Sequence, residues 1–159
     1  MKKKLAVLLC SVMCCVLLGA CGKDPRLEAF KDEVNNFCNN LLRIHEEINE
    51  IDPQKNNAPQ ELLSKMDELK GQFAGFAAKD FPEEFDYLEE LVDEASSYMN
   101  VAADSYHNVF DDDLFYDEAM EEYAHENYAR AYKRIRIVLS FIRGEEPEGD
   151  DIQIEYATE

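Results

Sequence analysis

The chain has 159 residues, with 35 Asp or Glu against 16 Lys or Arg, and its formal net charge at pH 7 is −19. Nucleic-acid binding requires clustered basic side chains, so this composition excludes generic binding of DNA or RNA. Four of the five cysteines lie at or before residue 21, which leaves Cys38 alone in the remainder. The folded part therefore has no intrachain disulfide and depends on its apolar core. We interpret Cys38 as a small, semi-buried apolar residue.

The first 20 residues have the pattern of a cleaved secretory signal. Three lysines at positions 2–4 precede an apolar run over residues 5–20, which is shorter than the roughly 20 residues that a membrane-spanning helix needs. The run ends in Leu18, Gly19, Ala20 and Cys21. This ending resembles the lipobox of bacterial lipoproteins, with an aliphatic residue, two small residues and then Cys. The resemblance implies cleavage before Cys21 and a diacylglyceryl thioether on its sulfur. An uncleaved signal anchor and a conventionally secreted protein are the alternatives.

A lipid on Cys21 would supply two acyl chains, which is enough for stable anchoring at the extracytoplasmic face of the cell membrane. Removing residues 1–20 leaves 13 Lys or Arg against 35 Asp or Glu, a formal charge of −22. We expect residues 21–24 to form a short tether, with Asp24 capping the first helix and Pro25 in its first position. Three extended residues reach only about 10 Å, so the domain should stand close to the membrane.

Two helices are predicted next, over residues 25–51 and 59–79, separated by a loop that contains Pro53. Apolar residues in the first helix recur at alternating steps of three and four, which is typical of a helix packed on other helices. This first seam comprises Leu27, Phe30, Val34, Phe37, Leu41, Ile44, Ile48 and Ile51. The seam of the second helix comprises Leu62, Met66, Leu69, Phe73 and Phe76.

Two further helices are predicted over residues 83–110 and 113–143, after a boundary at residues 80–82. The third seam comprises Phe85, Leu88, Val92, Ala95, Met99, Ala102, Tyr106 and Val109. The fourth comprises Met120, Ala124, Tyr128, Ala131, Ile135, Val138 and Ile142. Three aspartates at 111–113 interrupt the pattern between them, and Gly144 provides a C-terminal stop. Basic residues near that stop oppose the negative pole of the helix and offer partners to acids on neighbouring helices: Lys133, Arg134, Arg136 and Arg143.

These patterns predict an all-α protein whose residues 25–144 form an antiparallel up-down-up-down four-helix bundle. Residues 145–159 carry too little apolar surface to fold alone, and we expect them to form a flexible acidic tail. Ile152, Ile154 and Tyr156 alternate in that tail, so a partner could induce a strand there, but simple solvation is the favoured interpretation.

No residue pattern indicates catalysis, a bound metal or a cofactor. Glu122 and His125 form a Glu-x-x-His motif, yet the seam of the fourth helix turns the pair toward solvent. Residues 111–122 resemble a calcium loop in the placing of their acids but lack its central glycine. Weak surface binding of a cation remains an alternative to capping for four residues: Asp111, Asp112, Asp113 and Asp117. The tyrosines between residues 87 and 132 are interpreted as core-flanking residues rather than as a ligand face.

Gly71 and Gly75 are the only glycines between residues 22 and 144, and each costs about 1 kcal/mol in a helix interior relative to Ala. They lie one turn apart and, judged from the seam of the second helix, point away from the core. With Ala74 and Ala78 they could form a shallow groove that contacts another chain. A frayed helix end is the favoured alternative.

The sequence therefore predicts a lipid-anchored extracytoplasmic lipoprotein whose helical domain is a non-enzymatic interaction or accessory module. Its expected partners are the membrane, through Cys21, and another protein of the cell envelope. A binder of a cation or small ligand is the competing hypothesis.

Overall fold

A computed structural model of the chain describes residues 24–110 and 117–147, and these residues are helical through most of their length. The protein is all-α: four α-helices are present and the described residues contain no strand, as the sequence predicts. The helices are α1 (Pro25–Glu50), α2 (Ala58–Ala77), α3 (Glu89–Phe110) and α4 (Glu118–Arg143). None of them is both long enough and apolar enough to cross a membrane.

The described chain divides between Glu84 and Phe85 into two compact units, each built around one pair of helices. In the first unit, Phe30 near the start of α1 contacts Phe81 just beyond α2, whereas Glu47 near the end of α1 pairs with Lys65 on α2. Residue numbers therefore rise along α1 as they fall along α2, and the two helices are antiparallel.

The core of the first unit is aromatic. Phe37 stacks on Phe76 with ring centroids 4.4 Å apart and meets Phe73 edge-on at 5.7 Å. Phe81 packs edge-on against Phe30 and Phe76, at 4.9 and 5.5 Å. Edge-to-face and offset ring pairs contribute beyond the apolar area that they bury, so these contacts hold α1 to α2 and to the chain that follows α2.

The second unit joins α3 to α4 by contacts that again run in opposite directions. Tyr87, just before α3, meets Phe141 near the end of α4, with ring centroids 6.1 Å apart. Glu94, early in α3, pairs with Arg134 at 2.7 Å. Small residues occupy the middle of both helices and are fully buried there, which lets the two backbones approach closely: Ala95, Ala102, Ala103, Ala124 and Ala131.

The third α-helix begins at Glu89, six residues later than the sequence predicts. A single 3-10 turn, Asp86–Leu88, precedes it. The physical reason lies in Phe81 and Pro82, which are both buried and continue the first unit. Phe81 packs on Phe30 and Phe76, so the chain stays with the first unit through Glu84 and α3 begins only after it. The other described helix ends fall within two residues of their predicted positions, except that α4 begins at Glu118, five residues after its predicted start, because Asp117 is extended and caps the helix. Residues 111–116 lie outside the described part.

Candidate functional site

The outer face of α2 is the candidate partner-contact surface that the sequence indicates. Gly71 and Gly75 are exposed there, as are Ala74 and Ala78, while the opposite face of the helix buries Phe73 and its neighbours in the seam. A Cβ atom placed on either glycine would meet no atom within 4 Å beyond its own helix backbone. Packing within the described chain therefore does not require glycine at these two positions.

The position of the two glycines along α2 bears on the alternative of a frayed helix end. Gly75 lies in the last turn before Ala77, where a glycine is easily tolerated. Gly71 lies nearly two turns from that end, in continuous helix. Fraying thus accounts for Gly75 more readily than for Gly71. The small-residue strip Gly71–Ala78 has an open surface, but its geometry alone does not identify an occupant.

The lipidation candidate Cys21 lies outside the described residues, and the structure begins three residues later. Asp24 caps α1, its Oδ1 accepting a hydrogen bond from the backbone N–H of Arg26 at 2.9 Å, and Pro25 occupies the first helical position. Arg26 also pairs with Asp80 beyond the end of α2, at 2.7 Å. The first described residue, Asp24, is therefore already the cap of a helix.

The cation-binding candidates are described only in part. Asp111, Asp112 and Asp113 lie outside the described residues, whereas Asp117 is the N-cap of α4. Its Oδ1 accepts a hydrogen bond from the backbone N–H of Met120 at 3.0 Å. The described residues contain no group of three or more His, Cys, Asp or Glu side chains arranged to hold a metal ion. Asp117, the one aspartate of this set among the described residues, thus has the capping role that the sequence favours.

Five other described side chains belong to types that can act in catalysis or bind metals. Glu122, His125 and Asp104 are exposed. Cys38 is buried, in agreement with its interpretation as a small apolar residue, and it forms no disulfide within the described chain. His45 is half-buried, and burial lowers the pKa of its imidazole, so the ring is mainly neutral at pH 7.

A charged network between α1 and α2, which sequence patterns did not identify, consists of Arg43, Glu47, Lys65 and Glu68. Arg43 Nη1 lies 2.8 Å from Glu47 Oε1, and its other nitrogen pairs with Glu68 across the helices. Lys65 Nζ lies 2.5 Å from Glu47 Oε2 and 3.1 Å from Glu68 Oε2. Each carboxylate therefore contacts both cations, and each cation contacts both carboxylates.

These contacts change the ionisation of both acids in the network. Hydrogen bonds from Lys65 and Arg43 lower the pKa of Glu47, while the pKa of Glu68 is lowered chiefly by Arg43 and also by Lys65. The pairs Arg43–Glu47 and Lys65–Glu68 can be predicted from helical spacing. Their cross-helix partners depend on the register of α1 against α2, which spacing does not reveal.

A second charged cluster lies between α3 and α4, where the sequence predicts that basic residues of α4 meet acids of a neighbouring helix. This prediction is confirmed for Arg134, which pairs with Glu94. The guanidinium carbons of Arg134 and Arg130 also lie 5.8 and 5.9 Å from the centroid of the Tyr98 ring. Both distances are within cation–π range, so this tyrosine contributes to holding the two helices together.

The tyrosines differ in their exposure. Tyr128 and Tyr132 are half-buried, with ring centroids 4.7 Å apart. Burial raises the pKa of both hydroxyls. Tyr87 and Tyr123 are instead 60% and 49% exposed. The two exposed rings lie near opposite ends of the helix pair, as the contact of Tyr87 with Phe141 shows, and do not form one aromatic face.

Comparison with known proteins identifies no relative: no protein-family model, curated protein or solved structure matches the chain. The class that the structure defines is the all-α class, and function has to be inferred from the residues and their geometry.

Proposed function

We propose that the protein is a bacterial lipoprotein, anchored through Cys21 on the extracytoplasmic face of the cell membrane. Its helical domain serves there as a non-enzymatic interaction or accessory module for another envelope protein. The anchor is inferred from the sequence Leu18-Gly19-Ala20-Cys21, which follows three lysines and a short apolar run. The cap at Asp24 supports it, because a helix that starts four residues after Cys21 leaves a tether of about 10 Å.

The two helix pairs are proposed to assemble into an up-down-up-down four-helix bundle. Support comes from the antiparallel contacts within each pair and from apolar seams that continue along all four helices. In such a bundle every helix would bury its seam against neighbours at a crossing angle of about 20°.

The non-enzymatic role is supported by the positions of the side chains that could act in catalysis or bind a metal. Asp117 is used as a cap, Cys38 is buried, and Glu122 and His125 face solvent without a third ligand among the described residues. The proposed partner contact is the small-residue strip Gly71–Ala78. It is open, and neither packing within the described chain nor a nearby helix end explains the glycine at position 71.

The anchor is tested by mass spectrometry of the membrane fraction and by two matched serine variants. Cys21→Ser should remove the acyl modification and release the domain from membranes, whereas Cys15→Ser, inside the apolar run, should leave both unchanged. An unmodified Cys21 in the wild type contradicts the lipoprotein assignment. Membrane retention of Cys21→Ser would favour an uncleaved signal anchor instead.

The partner contact is tested with a photo-crosslinking residue at position 71 or 75 in intact cells. We expect one envelope protein to be recovered from both positions and not from Asn36, an exposed control position on α1. Equal recovery from all three positions, or recovery of nothing above background, contradicts the proposed contact.

A further inference from the structure

The basic residues of this acidic protein are concentrated on α4. Residues 80–129 contain 17 Asp or Glu and no Lys or Arg. Arg130 begins a run of five basic residues that ends at Arg143, and α4 has no acid after Glu126. The described residues contain 12 Lys or Arg in all. The C-terminal half of α4 is therefore a local positive surface on a chain of large negative charge.

These five residues occupy two sides of α4. Arg130 and Arg134 face α3, where both lie over the Tyr98 ring and Arg134 also pairs with Glu94. The other three, at positions 133, 136 and 143, recur at steps of three and seven, which places them within about 80° of one another around the helix. We call Lys133, Arg136 and Arg143 the basic stripe. It is about 15 Å long at 1.5 Å per residue, and Lys133 and Arg136 are exposed.

The chain leaves α4 through a left-handed C-cap that turns it back against the last turn of the helix. Gly144 is left-handed, with φ 71°, and its N–H donates to the carbonyl of Phe141 at 2.9 Å. The N–H of Glu145 donates to the carbonyl of Ser140, also at 2.9 Å. This pair of bonds closes the helix and brings the backbone of Glu145 next to the last turn instead of along the helix axis. Pro147 is half-buried, so the chain still contacts the domain at that point.

The next 12 residues are complementary in charge to the stripe. Segment 148–159 contains five acids and no Lys or Arg: Glu148, Asp150, Asp151, Glu155 and Glu159. Ile152, Ile154 and Tyr156 alternate with polar residues, the pattern of an extended segment with one apolar edge. Twelve extended residues span about 40 Å, more than twice the length of the stripe.

We propose that segment 148–159 docks on the basic stripe of α4, with its acids placed against the positive charges of that stripe. Tethering favours this occupant, because a segment attached a few residues away has a millimolar effective concentration. Anionic lipid headgroups have the same charge complementarity but must approach a chain with a net charge of −19, which opposes them. The proposal does not depend on the lipid at Cys21 or on the partner of α2.

Lys133 makes the proposal testable by carbodiimide crosslinking, because it is the only lysine after Lys79. The processed chain in non-ionic detergent should give an intramolecular amide between Lys133 and a carboxylate of segment 148–159. Arg136→Glu should reduce that crosslink by about threefold or more, since each exposed ion pair contributes modestly. Lys55→Glu is the matched control: it makes the same change in net charge at an exposed residue before α2, outside α4, and should leave the yield unchanged.

Equal yields in Arg136→Glu and Lys55→Glu would overturn the proposal, because the crosslink would then reflect the tether alone. Crosslinks that join isotopically distinct chains would indicate a second copy as the occupant, and stripe-dependent binding to vesicles of anionic lipid, unaffected by the segment, would indicate headgroups. If Arg136→Glu unfolds, the variant Asp150→Asn with Asp151→Asn replaces it. The yield of the crosslink between Glu155 and Lys133 should then fall by a similar factor, and an unchanged yield refutes docking.

Discussion

Replacing Gly71 and Gly75 by alanine separates the energetic role of these residues from a role in binding. Each glycine lies in helix α2, and an added Cβ would meet no atom within 4 Å beyond the local helix backbone. Alanine in a helix interior is favoured over glycine by about 1 kcal/mol, mainly because glycine loses more backbone entropy on folding. Gly71→Ala should therefore stabilise the domain by about 1 kcal/mol. Gly75→Ala, in the last turn, should stabilise it by less.

The effect on unfolding is large enough to measure. For a domain of about 120 residues, 1 kcal/mol raises the midpoint of thermal unfolding by roughly 4 °C. We would follow helical circular dichroism of the processed chain during heating, with urea titrations to obtain the free energy of unfolding. Ala74→Gly is the matched control, because it makes the reverse change on the same exposed face and should lower the midpoint.

The result that would refute this reasoning is a lower midpoint in Gly71→Ala. That result would mean that a side chain at position 71 meets something in the folded protein, and the face would not be open. If both alanine variants are more stable yet lose the partner crosslink, the glycines are kept for binding at a cost in stability. If both keep the crosslink, the small-residue strip is not the contact.

Three further changes test the packing, the capping and the charges. Phe76→Ala removes a ring that contacts two others in the first unit and should lower the free energy of unfolding by about 3–5 kcal/mol in urea titrations. Asp117→Ala should lower the free energy of unfolding by about 1 kcal/mol in the same measurement, and Asp117→Asn by much less, because Asn also caps helices. A rise of several degrees in the melting midpoint of the wild type with calcium would favour the cation-binding hypothesis instead. The lowered pKa values of Glu47 and Glu68 stabilise the fold above the pKa of an unfolded Glu, and this stabilisation is lost as the pH falls through the folded values. Lys65→Gln should therefore lose less stability than the wild type between pH 7 and pH 3, and an equal loss contradicts this assignment.

The seams of the helices are the part of the fold that sequence predicts well. Phe30, Val34, Phe37, Leu41 and Ile44 are all buried, as their alternating spacing predicts. Periodicity succeeds here because a helix repeats every 3.6 residues, so spacing alone defines the face that avoids water. The outward direction of Gly71 and Gly75 follows from the same geometry.

Features that depend on what covers each face are not predictable in this way. Phe81 falls in a segment that looks like a boundary, yet its side chain completes an aromatic cluster with Phe30 and Phe76. The network of Arg43 with Glu68 likewise joins helices whose register only the structure defines. Spacing describes one helix at a time, whereas both features arise between segments that are distant in sequence.

The distribution of charge along α3 and α4 favours their antiparallel pairing over the alternative. α3 has no Lys or Arg, and four of its five acids lie in its first six residues. α4 is acidic in its first half and basic in its second, an order that also suits the helix dipole. Antiparallel pairing places Glu94 beside Arg134, whereas parallel pairing would place the acidic starts of both helices together. Because like charges at close range oppose association, the same acids that give the protein its large net charge also disfavour the wrong orientation of this pair.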